Sequence, residues 1–397
     1  MPGFEATEAP VEPSTWQTLH VAHVADLPCG SKSPARSHWS PAPMTDIILP
    51  REVVSTRPTS SVDCSFIAMA LKLCTYNVEH FNRAFDEENR PKSDSKEQLG
   101  AVARVLRAVG ADLIGIVEAP NASPSVAGAG ETPGTVEALE TFAAEHNLRQ
   151  RKAAMGFVSD GSQELAVMYD PDTVEEVKHV PGGGRGLSPA FDEELFYDAD
   201  GDDIEEVYAF YRPPFEAEVT AANSGETFRL ILAHAKSKAT FGPMDRLHRR
   251  QESLANRKKI FAECNWIRKR VEEWMDDHPV VVMGDFNDGP GMDFFERKFG
   301  KTGVEFVIGS LFEPDTTLRS AYERPRWKGN GWRPYTASFW NDVGEGYVEV
   351  PIDYVLATRD LRPAEGQVWN PDQKETLEEA LYEASDHFPV SMAIENA

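Results

Sequence analysis

Short apolar runs alternate with helical segments from Leu71 to the end of the chain, and this alternation limits the possible folds more than any other feature. Runs such as "LKLCTYNV", "DLIGIVEA" and "PVVVMGDFN" have the composition of buried strands. The segment "SKEQLGAVARVLRAVGA" has helical periodicity, with Ser95 as its expected cap and Gly110 as its expected stop. Helical crossovers mix with consecutive strands, such as "EVYAFYRPPF" followed by "ETFRLILAHAKS". The chain is therefore predicted to be an α/β protein with mixed sheets.

Residues 1–68 differ in composition from the rest of the chain. They contain nine of the 28 prolines and many serines and threonines, without sustained periodicity. Such a segment is predicted to be disordered or loosely attached. Met69 directly precedes the first predicted strand. We therefore expect one ordered domain over residues 69–397, and we hypothesise that Met69 is the natural start.

The formal net charge of −25 over 397 residues works against non-specific binding to nucleic acid, because phosphate contacts depend on Lys and Arg. It does not exclude a phosphodiester substrate, since a bound divalent cation reverses the field inside a cleft. The four cysteines have no zinc-binding spacing, and no apolar stretch is long enough to span a bilayer. We expect a cytoplasmic protein without stable membrane insertion, and nothing in the sequence indicates an obligate protein partner.

Several predicted strands end in residues suited to metal or phosphate chemistry. These residues are Asn77, Glu118, His234, Asp285, Asn287, Asp353, Asp386 and His387. Taken singly, each is more often a turn former, a cap or a buried core residue. Together they provide oxygen ligands for a hard cation and a histidine near an orienting carboxylate. Hydrolysis of a phosphodiester also needs a positioned water and charge stabilisation. The set therefore predicts a site for phosphoester hydrolysis.

The motifs "TYNVEHF", "IVEAPN", "LAHAKSK", "GDFND", "PIDYVLAT" and "SDHFPV" occur in the order typical of the endonuclease/exonuclease/phosphatase superfamily, which the chain resembles from Leu71 to Glu395. "GDFND" and "SDHFPV" carry most of the specificity. The resemblance implies a four-layered α/β sandwich, with two packed mixed β-sheets flanked by helices, and a domain over residues 69–397. It also implies an enzyme that uses a divalent cation, Mg²⁺ or Mn²⁺.

Metal binding is implied for three residues. By resemblance, Glu118 is the principal ligand, Asp386 lies next to the metal or a second cation, and Asn77 lies beside the metal and contacts the phosphate. The glutamine usual before the metal-binding glutamate is Val117 here. Because that position is mostly structural, the departure places the chain away from the best-known branches without affecting the expected chemistry.

The resemblance also implies the groups that act on water and protons. Asp285 and Asn287 match the pair that orients the attacking water and the phosphate. His387 matches the essential histidine, and Asp353 its orienting carboxylate. His234 matches a second histidine of the deoxyribonuclease and sphingomyelinase branches. Which histidine is acid and which is base stays open at the level of sequence.

Two further positions match the superfamily less closely. Arg212 in "FYRPPF" corresponds to an arginine that contacts the substrate phosphate. Glu164 in "SQELAVMY" corresponds to a carboxylate that pairs with the second histidine. The resemblance implies the same two roles for Arg212 and Glu164.

The substrate remains open among three hypotheses, since one scaffold serves many phosphoesters. The leading one is a nuclease-like phosphodiesterase acting on DNA or RNA. The second is a phosphatase or lipid phosphodiesterase acting on a smaller ester, which the acidity suits better. The third is a catalytically silent binding module, and the completeness of the acid, amide and histidine set argues against it.

Two segments bear on this choice. A helix predicted after "LAHAKSK" is rich in basic residues, namely Arg246, Arg249, Arg250, Arg257, Lys258, Lys259, Arg268, Lys269 and Arg270. It is either a phosphate-binding face or, more simply, the solvated face of an amphipathic helix. Residues 323–342 interleave aromatic and basic residues, which suits base stacking, lipid contact or plain packing. The second segment is the best candidate for substrate recognition.

Overall fold

A computed structural model describes residues 70–86, 88–121, 134–184, 186–240, 245–290, 299–322, 334–341 and 345–395. The predicted extension over residues 1–68 lies outside these ranges, so its disorder and the start at Met69 stay predictions. Much of the aromatic segment 323–342 lies outside them as well.

The helices and strands of the described residues are as follows. The α-helices are α1 (Lys96–Val109), α2 (Gly134–Glu145), α3 (Arg246–Met275), α4 (Gly303–Ile308) and α5 (Glu378–Ala384). The 3₁₀ turns are Phe81–Ala84, Ser93–Ser95, Arg359–Leu361 and Glu375–Leu377. The strands are β1 (Leu71–Asn77), β2 (Leu113–Ala119), β3 (Lys152–Met155), β4 (Glu164–Tyr169), β5 (Val174–His179), β6 (Leu195–Tyr197), β7 (Glu206–Tyr208), β8 (Phe215–Ala221), β9 (Thr227–His234), β10 (Val280–Asp285), β11 (Arg319–Ser320), β12 (Ala337–Asn341), β13 (Gly346–Val350), β14 (Asp353–Ala357), β15 (Pro363–Val368) and β16 (Val390–Ile394).

Two six-stranded sheets form the centre of the domain. The first has the strand order β15–β16–β1–β2–β4–β3, and the second has the order β11–β14–β10–β9–β8–β5. Each sheet contains one parallel pair, β1 with β2 and β9 with β10, among antiparallel neighbours. The predicted mixed sheets are therefore confirmed. Parallel strands bring their carboxyl ends to the same edge of their sheet. The predicted motif "TYNV" lies at that edge of the first sheet, and "GDFN" lies at that edge of the second.

The sheets pack face to face through alternating apolar side chains. Leu73 and Val167 of the first sheet share a buried cluster with Leu232 and Met283 of the second. Gly115 lies against the opposite sheet, because a Cβ atom there would stand 2.6 Å from a methyl carbon of Leu232 and 2.7 Å from the methyl carbon of Met283. A larger side chain at that point would have to displace these two side chains.

Helices cover the outer faces of both sheets. Apolar residues of α1, α2 and α5 pack on the outer face of the first sheet. Apolar residues of α3 and α4 pack on the outer face of the second. This order of helices, sheet, sheet and helices confirms the predicted four-layered sandwich, because each sheet buries one face on its partner and one on helices.

Some local predictions need correction. The segment "EVYAFYRPPF" does not form one strand: β7 ends at Tyr208 and β8 begins at Phe215. Pro213 and Pro214 lie between them, and proline has no N–H to donate to a ladder. Ser95 makes no side-chain capping hydrogen bond to α1, whereas Gly110 ends the helix in the left-handed region as predicted, with φ at 58°.

Two of the four cysteines lie within the described residues. Cys74 and Cys264 are buried and unpaired, and burial raises the pKa of the Cys74 thiol to about 12, so it stays protonated and unreactive. None of the described helices combines the length and apolarity that crossing a bilayer requires. The cytoplasmic location stays a prediction.

Candidate active site

Strand register places three of the predicted residues side by side at one edge of the second sheet. Asp285, the last residue of β10, stands opposite His234 of parallel β9 and opposite Asp353 of antiparallel β14. Gly284 precedes it with φ at 137°, and a Cβ atom there would lie 1.9 Å from the carbonyl oxygen of Ala233. The glycine of "GDFND" therefore lets the strands approach closely and holds Asp285 rigidly between its two neighbours.

Asp285 is 1% exposed and accepts hydrogen bonds from two asparagines. Nδ2 of Asn77 donates to its Oδ2 at 3.0 Å, which links the ends of β1 and β10 across the two sheets. The backbone N–H of Asn287 donates to Oδ1 at 2.7 Å, and Nδ2 of Asn287 lies 3.3 Å from Oδ2. Asn287 adopts φ of 49°, a conformation that asparagine tolerates better than most residues.

Burial, with the neighbouring charge of Asp353, raises the pKa of Asp285 from 3.8 to about 7. His387 and the two asparagines oppose this rise. A carboxylate with a pKa near neutrality exchanges a proton readily at physiological pH, which is the property that a general base needs.

His387 is held in a buried pair with Asp353. Its Nδ1 lies 2.9 Å from Oδ2 of Asp353, and its Nε2 lies 3.9 Å from Oδ2 of Asp285. Burial disfavours the charged ring, but the bond and charge of Asp353, with Asp285 and Asp386, outweigh it and raise the pKa of His387 to about 10. The pair therefore presents a protonated imidazole toward Asp285.

His234 faces the same carboxylate in the opposite electrostatic state. Its Nε2 lies 3.6 Å from Oδ2 of Asp285, and its Nδ1 is buried without a hydrogen-bond partner among the described residues. Burial, with the charges of Arg212 and His387, lowers the pKa of His234 well below 6.5. Asp285 thus lies between one neutral and one protonated imidazole.

The other predicted carboxylates lie on the neighbouring side of the site. Glu118 is the extra residue at a register shift in β2 and has φ of 62°, which is unusual for glutamate. Burial raises the pKa of Asp386 to about 6, and the charges of Glu79 and Glu118 add to this rise. Ser385 joins this side to β1, since its hydroxyl donates to the carbonyl oxygen of Asn77 at 2.9 Å.

The chemistry of these residues fits a divalent cation. Oδ1 of Asn77 and Oδ1 of Asp386 are buried and have no hydrogen-bond partner among the described residues. Together with Glu118 they form a set of carboxylate and amide oxygens, which Mg²⁺ and Mn²⁺ prefer. Divalent-metal dependence, as the family predicts, is consistent with this set, and the identity of the metal stays a proposal.

A tighter acidic group has a different explanation. One ligand atom each from Asp285, Asp353 and His387 lie within 4.8 Å of one another. Such a group can hold a divalent cation or relay a proton. The 2.9 Å contact between Nδ1 of His387 and Oδ2 of Asp353 is the arrangement that orients a histidine for proton transfer.

Three site residues were missed by sequence reasoning. Glu79 and His80 follow the end of β1, and the backbone N–H of His80 donates to Oε2 of Glu118 at 2.9 Å. Gln163 precedes β4; its Nε2 donates to Glu118, and its Oε1 accepts from Nη2 of Arg212. Glu79 and His80 lie within the motif "TYNVEHF", so their position was a usable signal. Gln163 had none, because it reaches Glu118 across strands.

Arg212 lies close to the carboxylates of the site, and its contact with a substrate phosphate stays a prediction. Its charge interacts with Glu118 and Asp285, and its Nε is buried without a hydrogen-bond partner among the described residues. Glu164 accepts from the backbone N–H and the hydroxyl of Ser159, both at 2.9 Å. The pairing of Glu164 with His234 stays a prediction.

Replacing Gln163 by leucine is expected to lower kcat/KM by about 10- to 100-fold, because groups that orient a metal ligand typically contribute this much. Glu118 and Arg212 would each lose the hydrogen bond to Gln163, and among the described residues Glu118 would keep only the bond from the backbone N–H of His80. The apparent affinity for Mg²⁺, taken from the metal dependence of the rate, should weaken in parallel. Gln251→Leu on the exposed face of α3 is the matched control. An unchanged metal dependence in Gln163→Leu would contradict the positioning role.

The basic residues of α3 divide between the interior and the surface. Arg270 is fully buried, where its Nη1 pairs with Glu216 and its Nε lies 2.9 Å from Oε2 of Glu273. Arg268 is buried and donates to the carbonyl oxygen of Thr316 at 2.9 Å. Arg249, Arg250 and Lys269 are exposed. The two buried arginines therefore stabilise the fold, and the three exposed cations fit the simpler interpretation, a solvated helix face.

Comparisons with known proteins agree with this architecture. The model of the endonuclease/exonuclease/phosphatase family matches residues 74–387. No curated protein sequence matches the chain. Similar solved structures include TDP2 from C. elegans, with 12% identity, coverage of 82% of this chain and 75% of that one, and a TM-score of 0.44. The human nocturnin catalytic domain with bound sulfate has 13% identity, coverage of 82% and 93%, and a TM-score of 0.43. An endonuclease/exonuclease/phosphatase from Bacteroides vulgatus has 12% identity, coverage of 83% and 100%, and a TM-score of 0.45.

The family model covers most of the chain and includes every motif from "TYNV" to the histidine of "SDHFPV". The resemblance stated from the sequence is therefore confirmed. The chain belongs to the endonuclease/exonuclease/phosphatase family and is a phosphoester hydrolase.

Proposed function

We propose that this protein hydrolyses phosphodiesters with Mg²⁺ or Mn²⁺ held by Glu118, Asp386 and Asn77. The observation that carries the proposal is the position of Asp285, buried between the neutral His234 and the protonated His387. When bound, the cation would neutralise charge on a phosphate oxygen.

The residues of the chain supply the remaining steps. Asp285, with Asn287 beside it, orients a water molecule and accepts its proton as the water oxygen bonds to phosphorus. The ester P–O bond breaks, and His387 donates a proton to the leaving oxygen and is kept charged by Asp353. His234 stays neutral and hydrogen-bonds within the site, while Arg212 offers its unpartnered Nε to the phosphate. Rigid placement on strand ends supports this arrangement, because catalysis depends on alignment of the reacting groups.

The first substrate class to test is a nucleic acid, as the motif order suggests. A second candidate is a smaller phosphoester or a lipid headgroup. The commitment of Arg268 and Arg270 to buried contacts favours the second, since long polyanions need exposed cations along their path.

Metal removal tests the proposal. The full-length chain is incubated with Mg²⁺, Mn²⁺ or EDTA against bis-p-nitrophenyl phosphate, plasmid DNA, single-stranded RNA and sphingomyelin. Hydrolysis of at least one diester with metal, abolished by EDTA and restored by added metal, is the expected result. Nicking of plasmid identifies a nuclease, whereas cleavage of only the small ester or the lipid supports the second candidate. Hydrolysis that survives EDTA, or none with any metal, refutes the proposal.

A further inference from the structure

A pocket of about 710 Å³ opens beside Asp386. Its walls come from the β12–β13 hairpin, from α5 with the residues that follow it, and from Glu79, which follows β1. Four aromatic residues line it and remain partly open to solvent: Phe339 at 37%, Trp340 at 53%, Tyr347 at 70% and Tyr382 at 49%. The rings of Trp340 and Tyr347 meet edge to face, with centroids 5.4 Å apart.

The pocket is acidic as well as aromatic. Besides the four aromatic residues, the nine lining residues within the described part of the chain comprise three carboxylates and two serines, and none of these nine is Lys, Arg or His. If Asp386 binds the metal, the carboxylates of Glu79 and Glu349 still give the pocket a negative charge. Exposed aromatic faces combined with carboxylates attract organic cations, because the ring faces carry negative potential. The same surface repels a polyanionic strand.

The pocket is joined directly to the catalytic residues. The backbone N–H of Ser338 in β12 donates to the carbonyl oxygen of Asp386 at 2.8 Å. Ala337 forms a bridge pair with His387, whose Nε2 lies 3.9 Å from Oδ1 of Asp386. A phosphodiester bound at Asp285 and His387 would therefore extend one of its two ester groups toward the aromatic walls.

Resting on the function proposed above, we propose that this pocket binds an ester group carrying an organic ammonium cation, so that the preferred substrate is a small phosphodiester with a cationic arm. Trp340 and Tyr347 supply the ring faces, and Glu349 and Glu79 supply the opposing charge. The metal side of the site holds the phosphate, and the pocket selects the arm.

A pair of isosteric esters isolates the charge. The methyl phosphate diesters of choline and of 3,3-dimethylbutanol have nearly the same shape, but only the first carries a positive charge. Loss of the diester ³¹P signal measures hydrolysis of either ester, whichever arm leaves. With the full-length chain and Mg²⁺, kcat/KM should favour the choline ester by about tenfold, a difference typical of a partly desolvated cation–π contact. Trp340→Ala and Glu349→Gln should each reduce this preference at least threefold.

Matched variants and a reference substrate separate the outcomes. Phe312→Ala removes an aromatic side chain that is 96% exposed elsewhere, and Glu176→Gln removes an exposed carboxylate of β5; both should keep the preference. Glu349→Gln is isosteric and tests the pocket even where Trp340→Ala fails to fold. The inference is overturned if the two esters are hydrolysed at equal rates. It is also overturned if both Glu349→Gln and folded Trp340→Ala keep the preference for the choline ester. In either case, hydrolysis of bis-p-nitrophenyl phosphate would still support the proposed function. No hydrolysis of any of the three esters overturns both.

Discussion

Asp285→Ala is expected to lower kcat by about a thousandfold or more, because it removes the group that orients the water and accepts its proton. No other described carboxylate lies between His234 and Asp353 in the strand register, so none of them replaces it. The measurement is the rate of hydrolysis of bis-p-nitrophenyl phosphate at saturating Mg²⁺. Asp285→Asn should lose nearly as much, since the amide keeps the shape but cannot take the proton.

Asp285→Ala is not expected to unfold the protein. Burial raises the pKa of Asp285 to about 7, so its ionised form costs folding free energy at neutral pH and above. Thermal denaturation of Asp285→Ala should therefore give a Tm equal to or above that of the wild type. Asp170→Ala is the control, since it should change stability without changing the rate of hydrolysis. Asp170 is buried and pairs with Arg149 at 2.7 Å, at the opposite end of β4 from Glu164. The variant should lower Tm and leave kcat unchanged. Near-wild-type activity in Asp285→Ala would rule out the assignment.

The second large effect is expected from the His387–Asp353 pair. His387→Ala and Asp353→Asn should each lower kcat by about 10²- to 10⁴-fold, because the histidine needs the carboxylate to stay protonated and oriented. The double variant should be little worse than His387→Ala alone, since groups that act as one unit give sub-additive losses. Effects that multiply in the double variant would show that the residues act independently.

A histidine outside the active site provides the control for the single and double variants of His387 and Asp353. His179 is half-buried, and its Nδ1 lies 2.9 Å from the carbonyl oxygen of Glu216. His179→Ala should cost some stability but change kcat little. Circular dichroism of all four variants distinguishes a loss of chemistry from a loss of fold.

Local sequence was sufficient for much of this protein because its signals are local. The short apolar runs from Leu71 onward predicted the strands, and the glycine stop at Gly110 predicted the end of the first helix, since both depend on backbone preference and periodicity. Motif order predicted the family, the four layers and the candidate residues at strand ends. Two adjacent prolines were enough to break the predicted strand at "RPP", and this signal was read wrongly.

Long-range packing decided what those residues do. Asp285 and Asn77 are 208 positions apart, and only the packing of β1 against β10 across the sandwich joins them. Burial lowers the pKa of both His234 and His387, but three neighbouring carboxylates overcome it at His387, so the two rings take opposite protonation states. By itself, the sequence determined most of the elements, the family and the candidate reactive side chains. The tertiary structure alone decided their charge states, the coupling of Glu118 to Arg212 through Gln163, and the acidic aromatic pocket, since each depends on distances between residues that are remote along the chain.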